Sequence, residues 1–202
     1  MRRTWFAALL IPTLLLTACG GGDEHHIEAL RDTLAQSAIT CEAEVTAVCD
    51  GETDDYILRC AESAEGYAVT VLSPERIEGV QATVGENLAV AFDGLVLPLP
   101  LDPAQLSPLT ALPALLSGLR QAHLDLVWRE GDDLVLQLIP RDDLALRVYL
   151  SPEDQPLYAE LIQDGQTAVR CTVTQWSLQT KEVPYESDDP NLGGDQSQHP
   201  GA

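Results

Sequence analysis

The stretch LPLPLDPAQLSPLTALPALLSGLRQAH, residues 97–123, interrupts a chain in which apolar and polar residues otherwise alternate. Five prolines fall within residues 98–113, and proline excludes a central β-strand because it lacks the amide donor of the ladder. Pro103 and Pro108 each follow a good N-cap residue, as proline does at the first position of a helix. One helical face would carry four leucines, Leu112, Leu115, Leu116 and Leu119. The stretch therefore predicts one or two short apolar helices that are inserted between strands and cover another apolar surface.

Strand-like alternation flanks this stretch on both sides. Before it, apolar residues from Cys41 to Cys49 alternate with polar ones, and turns such as DGETD and SAEG separate successive strands. After it, the alternation resumes at Leu124 and ends in the longest predicted strand, Thr167–Leu178. The pattern predicts an α+β fold that is mainly β, with about eleven antiparallel strands. An amphipathic helix precedes them, with one apolar stripe of Ile27, Leu30 and Leu34.

The N-terminus has the features of a bacterial lipoprotein signal. Arg2 and Arg3 precede an apolar segment, Trp5–Leu16, which is shorter than the roughly 20 residues that span a bilayer. Residues 16–19, Leu-Thr-Ala-Cys, resemble the lipobox at every position. This resemblance implies cleavage before Cys19 and diacylation of its thiol, and two acyl chains anchor a protein stably. An ordinary signal peptide that happens to end near a cysteine is the alternative.

These features divide the chain into four segments. Residues 1–18 are the predicted signal peptide, and residues 19–26, with three consecutive glycines, are a lipidated flexible tether. Residues 27–181 form the folded domain, and residues 182–202 are an acidic tail without periodicity that we expect to be disordered. The predicted location is the extracytoplasmic face of the cell membrane, through the lipid anchor.

The charge of the chain excludes several classes of partner. Without Arg2 and Arg3, nine basic and 32 acidic side chains remain, a net charge of −23. Nucleic acid is excluded because there is no basic surface to meet phosphates. Electrostatic docking on anionic lipid headgroups is disfavoured for the same reason, so that the anchor holds a domain which the membrane surface repels.

The remaining cysteines leave two alternatives open. Cys41, Cys49, Cys60 and Cys171 are an even number in an exported chain, which permits two disulfides in three pairings. Each also lies in a strand-like alternation, where a buried free thiol packs well. A zinc site is not expected, since no pair has CxxC spacing and no histidine stands near them in sequence.

The sequence shows no catalytic constellation. His123 is the only histidine inside the predicted domain, and no G-x-S-x-G nucleophile motif is present. Asp132-Asp133 and Asp142-Asp143 fall at predicted turns, where aspartate is favoured for backbone reasons, and their spacing is not that of a calcium loop. We therefore expect no catalytic residue, no metal and no cofactor other than the covalent diacylglycerol on Cys19. Trp128 and Trp176 belong either to the core or to a ligand surface.

Three segments resemble the lipoprotein-sorting proteins of the LolA/LolB superfamily. They are YAVTVLSPERIEGVQATV (67–84), LAVAFDGLVLPLPLDPAQLSPLTALPALL (88–116) and CTVTQWSLQ (171–179). Within the superfamily the chain looks most like the clostridial group that includes the germination lipoprotein GerS. The resemblance covers residues 27–179. It implies an open half-barrel of eleven antiparallel strands whose concave face is filled by lid helices, and it brings no catalytic residues.

Two functions of different class follow. In the first, the lid is a permanent plug and the protein is a tethered, non-catalytic adaptor for another protein of the cell envelope, for example of cell-wall or spore-cortex remodelling. In the second, the half-barrel carries or accepts a lipid or lipoprotein and binds its acyl chains in a cavity. The predicted lid residues are Leu109, Leu112, Leu115, Leu116 and Leu119. The predicted cavity lining includes Val90, Phe92, Leu126 and Leu136.

Overall fold

The structure is a computed structural model that describes residues 21–49, 51–99, 102 and 105–181. The predicted signal peptide, Cys19 and the acidic tail lie outside the described residues. Within them the chain forms two α-helices, eleven β-strands and one short 3-10 turn. The bounds are α1 Gly21–Ala35, β1 Ser37–Cys49, β2 Glu52–Ser63, β3 Gly66–Ser73, the 3-10 turn Glu75–Ile77, β4 Gln81–Val84, β5 Leu88–Phe92, β6 Leu95–Leu99, α2 Pro108–Gln121, β7 His123–Glu130, β8 Asp133–Arg141, β9 Leu144–Leu150, β10 Pro156–Gln163 and β11 Gln166–Thr180.

The strands form one antiparallel sheet. Their order is β6-β5-β4-β3-β2-β1-β11-β10-β9-β8-β7, so that β6 and β7 lie at its two ends and the sheet is open. Every neighbour except the β1–β11 pair is joined by a short turn, which is the meander that the sequence predicts. The predicted fold class, an eleven-stranded antiparallel open half-barrel with helices, is confirmed.

The β1–β11 pair joins the two halves of the chain into one open sheet. Cys41 lies opposite Trp176 and Val45 lies opposite Cys171, with a register shift between Glu42 and Ala43. Because these partners are more than a hundred residues apart in sequence, the pairing is a long-range contact whose loop-closure entropy must be offset by burial. The long ladders of β1 supply that burial, since alternate residues of this strand are buried beneath the helices.

Helix α1 covers one face of the sheet with the predicted apolar stripe. Ile27, Leu30 and Leu34 are 2%, 8% and 1% exposed. The helix begins at Gly21, so that most of the segment predicted as a flexible tether, from position 21 to position 26, is helical instead. Asp23 and Glu24 in the first turn favour this start because carboxylates stabilise the N-terminus of a helix.

Helix α2 is the inserted element that the proline-rich stretch predicts. Ser107 is its N-cap and forms a reciprocal capping box with Thr110, while Pro108 occupies the first helical position. The helix continues through Pro113, which is buried. The second possible helix, starting at Pro103, is not present in the described residues 105–107, which form no helix, while positions 103 and 104 lie outside them.

The core is filled at the contact between α2 and the sheet. A Cβ atom added to Gly118 would lie 2.3 Å from Cδ1 of Leu146, so any side chain at this position would displace the leucine of β9 that packs against the helix. Leu112, Leu115 and Leu116 are fully buried in this contact. Side chains of α2 therefore occupy part of the concave side of the sheet, where the carrier hypothesis places its ligand.

Candidate functional site

The predicted lid residues are brought together on α2. Leu112, Leu115 and Leu116 have no exposed surface, Leu119 is 2% exposed, and Leu109 is partly buried against the core at the start of the helix. Their side chains pack into the same cluster as the inward residues of the sheet. The lid leucines are thus core residues of this structure, and their predicted role as a mobile lid remains a hypothesis.

The predicted lining residues do not form one cavity. Leu136 is 1% exposed and Val90 is partly buried, and both pack into the core. Leu126 is 56% exposed because the register shifts between Leu124 and Leu126. The shift places Val127, instead of Leu126, opposite Leu136, so the simple alternation from Leu124 predicts the wrong face for Leu126.

The predicted position of Phe92 in the lining of a cavity also needs correction. It shares a face of β5 with Leu88 and Val90, because alternate residues of a strand point to the same side. Exposure rises along this face from 3% at Leu88 to 53% at Phe92. Phe92 is therefore on the helix side of the sheet, as predicted, but it extends past the helix and is not enclosed.

The β5–β6 hairpin carries the most concentrated exposed apolar residues of the described chain. Phe92, Leu95, Val96 and Leu97 are 53%, 69%, 66% and 60% exposed, and these four of the nine large apolar side chains exposed in the described residues span only six positions. The pairing of Phe92 with Leu95 and of Val90 with Leu97 puts Phe92, Leu95 and Leu97 on the helix side of the hairpin, and we call these three the hairpin surface. Val96 points to the opposite face. Scattered exposed leucines need no explanation, whereas a contiguous patch marks a binding surface.

An apolar cleft adjoins the hairpin surface. Its volume is about 290 Å³, and it lies between the start of α2 and the strands on the β6 side of the sheet. Leu88 and Leu99, which pair across β5 and β6, line the cleft and lie on the same two strands as the hairpin surface. The other apolar lining residues are Tyr56, Val71, Ile77, Val80, Pro108 and Leu109. The cleft is open to solvent and lies near the lower end of the range of about 300–1,000 Å³ for ligand pockets.

A cluster of charged groups holds the C-terminal end of α2. The guanidinium of Arg120 donates to the carbonyls of Leu34 and Ser37, at 3.1 and 2.6 Å, and to Oε2 of Glu62 at 2.8 Å. Lys181 donates to Oε1 of the same carboxylate at 2.8 Å. The hydrogen bond from Arg120 and, after it, that from Lys181 lower the pKa of Glu62 to about 2, against the opposing effect of burial. The cluster joins α2 to α1, β1, β2 and the end of β11.

The sequence pattern alone does not identify this cluster. Arg120 is the one charged residue of α2, in a helix that is otherwise apolar or neutral, and this isolation is the signal that could have found it. Its partners lie 58 to 86 residues away along the chain, at positions that only the fold brings together. Arg31 adds a further tie, because it donates to the carbonyl of Ala122 at the end of α2.

The tryptophans lie at different places. Trp176 is partly buried against the core and also lines a cleft of about 390 Å³ beside α1, together with Leu178 and His26. His26 is hydrogen-bonded to Asp154 at 2.7 Å. Trp128 donates its indole N–H to Oε1 of Glu130 at 2.8 Å. Trp176 thus belongs both to the core and to a surface.

Three of the cysteines are buried free thiols. Cys41, Cys60 and Cys171 are at most 1% exposed, whereas the side chain of Cys49 lies outside the described residues. Burial raises the pKa of Cys171 to about 12. Among the residues that the structure describes, no three histidine, cysteine or acidic side chains are grouped so that they could hold a metal ion. Neither helix of the described part combines the length and the apolar character needed to cross a membrane.

No protein-family model and no curated protein matches the sequence. Among solved structures, an uncharacterised conserved protein from Thermus thermophilus is similar at 12% identity and a TM-score of 0.45, over 79% of this chain and 90% of its own. A putative outer membrane lipoprotein-sorting protein domain from Vibrio parahaemolyticus is similar at 10% identity and a TM-score of 0.42, over 79% of this chain and 93% of its own. A LolA superfamily protein from Nitrosomonas europaea is similar at 14% identity and a TM-score of 0.41, over 79% of this chain and 94% of its own. The fold assignment rests on the strand order and not on these similarities.

Proposed function

We propose that the chain is a non-catalytic binding protein of the cell envelope, which is anchored through lipid on Cys19 and holds a protein partner on the hairpin surface. One observation carries this proposal. The leucines of α2 are buried against the concave side of the half-barrel, whereas Phe92, Leu95 and Leu97 are left exposed beside it. This exposed apolar surface therefore lies on the helix side of the hairpin, past the helix.

The chemistry of the hairpin favours contact through side chains. Position 98 of β6 is proline, which offers no amide donor to an added strand, so pairing of a partner strand with this edge is disfavoured. Removal of apolar surface from water contributes about 25 cal/mol per Å², or about 1.5–3 kcal/mol for each fully buried leucine. Three or four such side chains suffice for a specific contact.

The negative charge of the chain favours a partner whose binding surface has basic residues at its edge. Residues 94–101 contain no charged side chain, but Glu86 and Asp93 border the hairpin in sequence and the whole chain carries a net charge of −21. A partner with an apolar centre and a basic rim complements such a surface and avoids like-charge repulsion. This pairing also leads to an association rate that falls as salt is added.

The proposed lipid anchor would hold the domain near a membrane. Cys19 precedes Gly21, the first residue of α1, by two positions, and each extended residue spans at most about 3.6 Å. A domain held on so short a connection stays close to the bilayer. A fixed position suits an adaptor, whereas a carrier must release its anchor in order to travel.

A lipid or lipoprotein carrier is the second candidate, and the apolar cleft is the observation that favours it. The cleft is lined by aliphatic side chains and opens beside the hairpin surface. An acyl chain laid in the cleft would be covered by Leu109 and Pro108 of α2. Opening the rest of the half-barrel would require α2 to leave the sheet, which exposes fully buried leucines.

Photo-crosslinking from the hairpin separates the two candidates. A photo-reactive phenylalanine derivative replaces Phe92 in the full chain, and the matched control carries it at Thr172, an exposed position of β11. We expect one envelope protein to be crosslinked from position 92 and not from position 172. A lipid adduct at position 92 without a protein adduct would support the carrier. Equal crosslinking from both positions would contradict the proposed surface.

A further inference from the structure

Two buried cysteines face each other on neighbouring strands. In the antiparallel register of β1 and β2, Cys41 is the direct partner of Cys60. Their exposed fractions are 1% and 0%, and both are free thiols. Hydrogen bonding with Cys41 and, after it, burial raise the pKa of Cys60 above its ordinary value. The pair lies under the helices and takes no part in the hairpin surface.

The position of the pair meets the requirements of a disulfide. Residues directly opposite in an antiparallel pair have Cα atoms about 4.5–5.5 Å apart, and disulfides join Cα atoms about 4.4–6.8 Å apart. Cys171 does not compete by register, because it faces Val45 on β1 and Ala159 on β10, four positions along β1 from Cys41. The register therefore selects one pairing from those that the sequence leaves open.

We propose that Cys41 and Cys60 are a modification site, an oxidisable pair that forms an intramolecular disulfide with an organic disulfide such as oxidised glutathione. The thiolate of one cysteine attacks the organic disulfide, which forms a mixed disulfide and releases one glutathione thiolate. The thiolate of the second cysteine then attacks the protein sulfur of the mixed disulfide and releases the second glutathione. The two protein thiols lose two protons and two electrons, and one oxidised glutathione becomes two reduced ones.

Burial decides when this reaction occurs. The thiolate is the nucleophile, and both the exclusion of water and the raised pKa of Cys60 keep the folded pair in the thiol form. The bond therefore forms while the chain folds, or when β1 and β2 open. Once formed, it fixes the register of β1 and β2 two residues before Glu62, the residue that holds Arg120 of α2. This inference does not depend on the proposed function.

Refolding in a glutathione redox buffer tests the proposal. The full, unlipidated chain is unfolded in urea with reductant, refolded in oxidised and reduced glutathione, and unfolded again with a thiol-alkylating reagent. Mass spectrometry of the whole chain and of its peptides then locates the bond. We expect a species that is lighter by two hydrogen atoms and is linked between Cys41 and Cys60. A link through Cys49 or Cys171, or refolded protein in which both Cys41 and Cys60 are alkylated, overturns the proposal.

Cysteine variants and a rate measurement complete the test. Cys171→Ser keeps the link, whereas Cys41→Ser and Cys60→Ser each abolish it; the wild-type peptide map decides the pairing even if a variant does not fold. Oxidation of the folded, reduced chain by glutathione is expected to be at least about tenfold slower than oxidation in urea, because the pair must first be exposed. Equal rates in both conditions would contradict the burial argument.

Discussion

The β5–β6 hairpin and helix α2 are neighbours in sequence and similar in composition, yet they end in opposite environments. Leu95, Val96 and Leu97 are 60–69% exposed, whereas Leu112, Leu115 and Leu116 are fully buried. Both segments are leucine-rich and contain proline. The difference lies in what covers them, because α2 rests on the concave face of the sheet and the hairpin is its uncovered end.

The comparison separates stability from binding. In α2, apolar side chains are already removed from water and contribute to the free energy of folding. In the hairpin, the same chemistry is still available to a partner. Substitutions in the two regions should therefore affect different measurements, and the following predictions test that separation in order of decreasing expected effect on stability.

The largest loss is expected at the buried face of α2. Leu116→Ala removes side-chain atoms from a filled site and should lower the free energy of unfolding by about 2–5 kcal/mol. The matched control, Leu97→Ala, removes the same atoms from an exposed site and should change it by less than about 0.5 kcal/mol. Urea denaturation at neutral pH measures both. Similar losses in the two variants would mean that the hairpin is packed and not free.

The next largest loss is expected at the charged cluster. Arg120→Met keeps the aliphatic stem but leaves the carbonyls of Leu34 and Ser37 without their donor, which should cost about 2 kcal/mol. Arg141→Met, which breaks the more exposed pair with Asp143, is the control and should cost less than about 1 kcal/mol. If Arg120→Met lowers the free energy of unfolding by no more than Arg141→Met does, the cluster does not stabilise the position of α2.

The cluster should also produce an acid-sensitive part of the stability. The folded pKa of Glu62, about 2, lies below its ordinary value of 4.5, so its contribution is fully present above pH 4.5 and is lost as pH falls toward 2. After allowance for solvent screening we expect about 1 kcal/mol. Urea midpoints measured across this range for the wild type and for Glu62→Gln give the difference. Parallel curves for the two proteins would exclude a contribution from Glu62.

A smaller loss is expected at the beginning of α2. Ser107→Ala removes the side-chain acceptor of the capping box and should lower the free energy of unfolding by about 1 kcal/mol. Ser117→Ala, in the same helix but away from the cap, should change it by less than about 0.5 kcal/mol. Thermal and urea unfolding measure the pair. A larger loss of unfolding free energy for Ser117→Ala than for Ser107→Ala would indicate that contacts in the middle of α2 stabilise the helix more than its N-cap does.

The smallest effect on stability, and the largest on binding, is expected in the hairpin. Leu95→Ser combined with Leu97→Ser should leave the free energy of unfolding within about 0.5 kcal/mol of the wild type, because both side chains are already exposed. The same change should abolish the crosslink from position 92, which shares their face of the hairpin. Val48→Ser, at another exposed apolar position, is the matched control for crosslinking. Retained crosslinking in the double variant would contradict the hairpin as the binding surface.

Local patterns determine much of this fold. Alternation with a period of two defines the strands, and the turns between them make the sheet antiparallel, since short connections leave no room for a crossover. The leucine spacing after Pro108 and the stripe from Ile27 to Leu34 identify the buried faces of α2 and α1, because a helix repeats every 3.6 residues. These features depend on neighbours in sequence, and the structure has them where the sequence predicts them.

The candidate site is predictable only in part. The predicted position of Leu126 is wrong because one register shift in β7 moves its side chain to the other side of the sheet. A period of two in the sequence does not indicate where such a shift occurs. Phe92 is on the predicted face, but its exposure depends on how far α2 reaches across the sheet. The lipidation of Cys19 remains a prediction from sequence, since the residue lies outside the described part of the chain.

By itself the sequence indicated about eleven antiparallel strands, an N-terminal helix, one or two inserted helices and the apolar residues available to the core. Only the tertiary structure decided which of those apolar residues are covered, that Arg120 meets Glu62, and that Cys41 meets Cys60. The physical reason is that side-chain periodicity is a local property. Coverage and pairing depend on register and on contacts between residues that are distant along the chain.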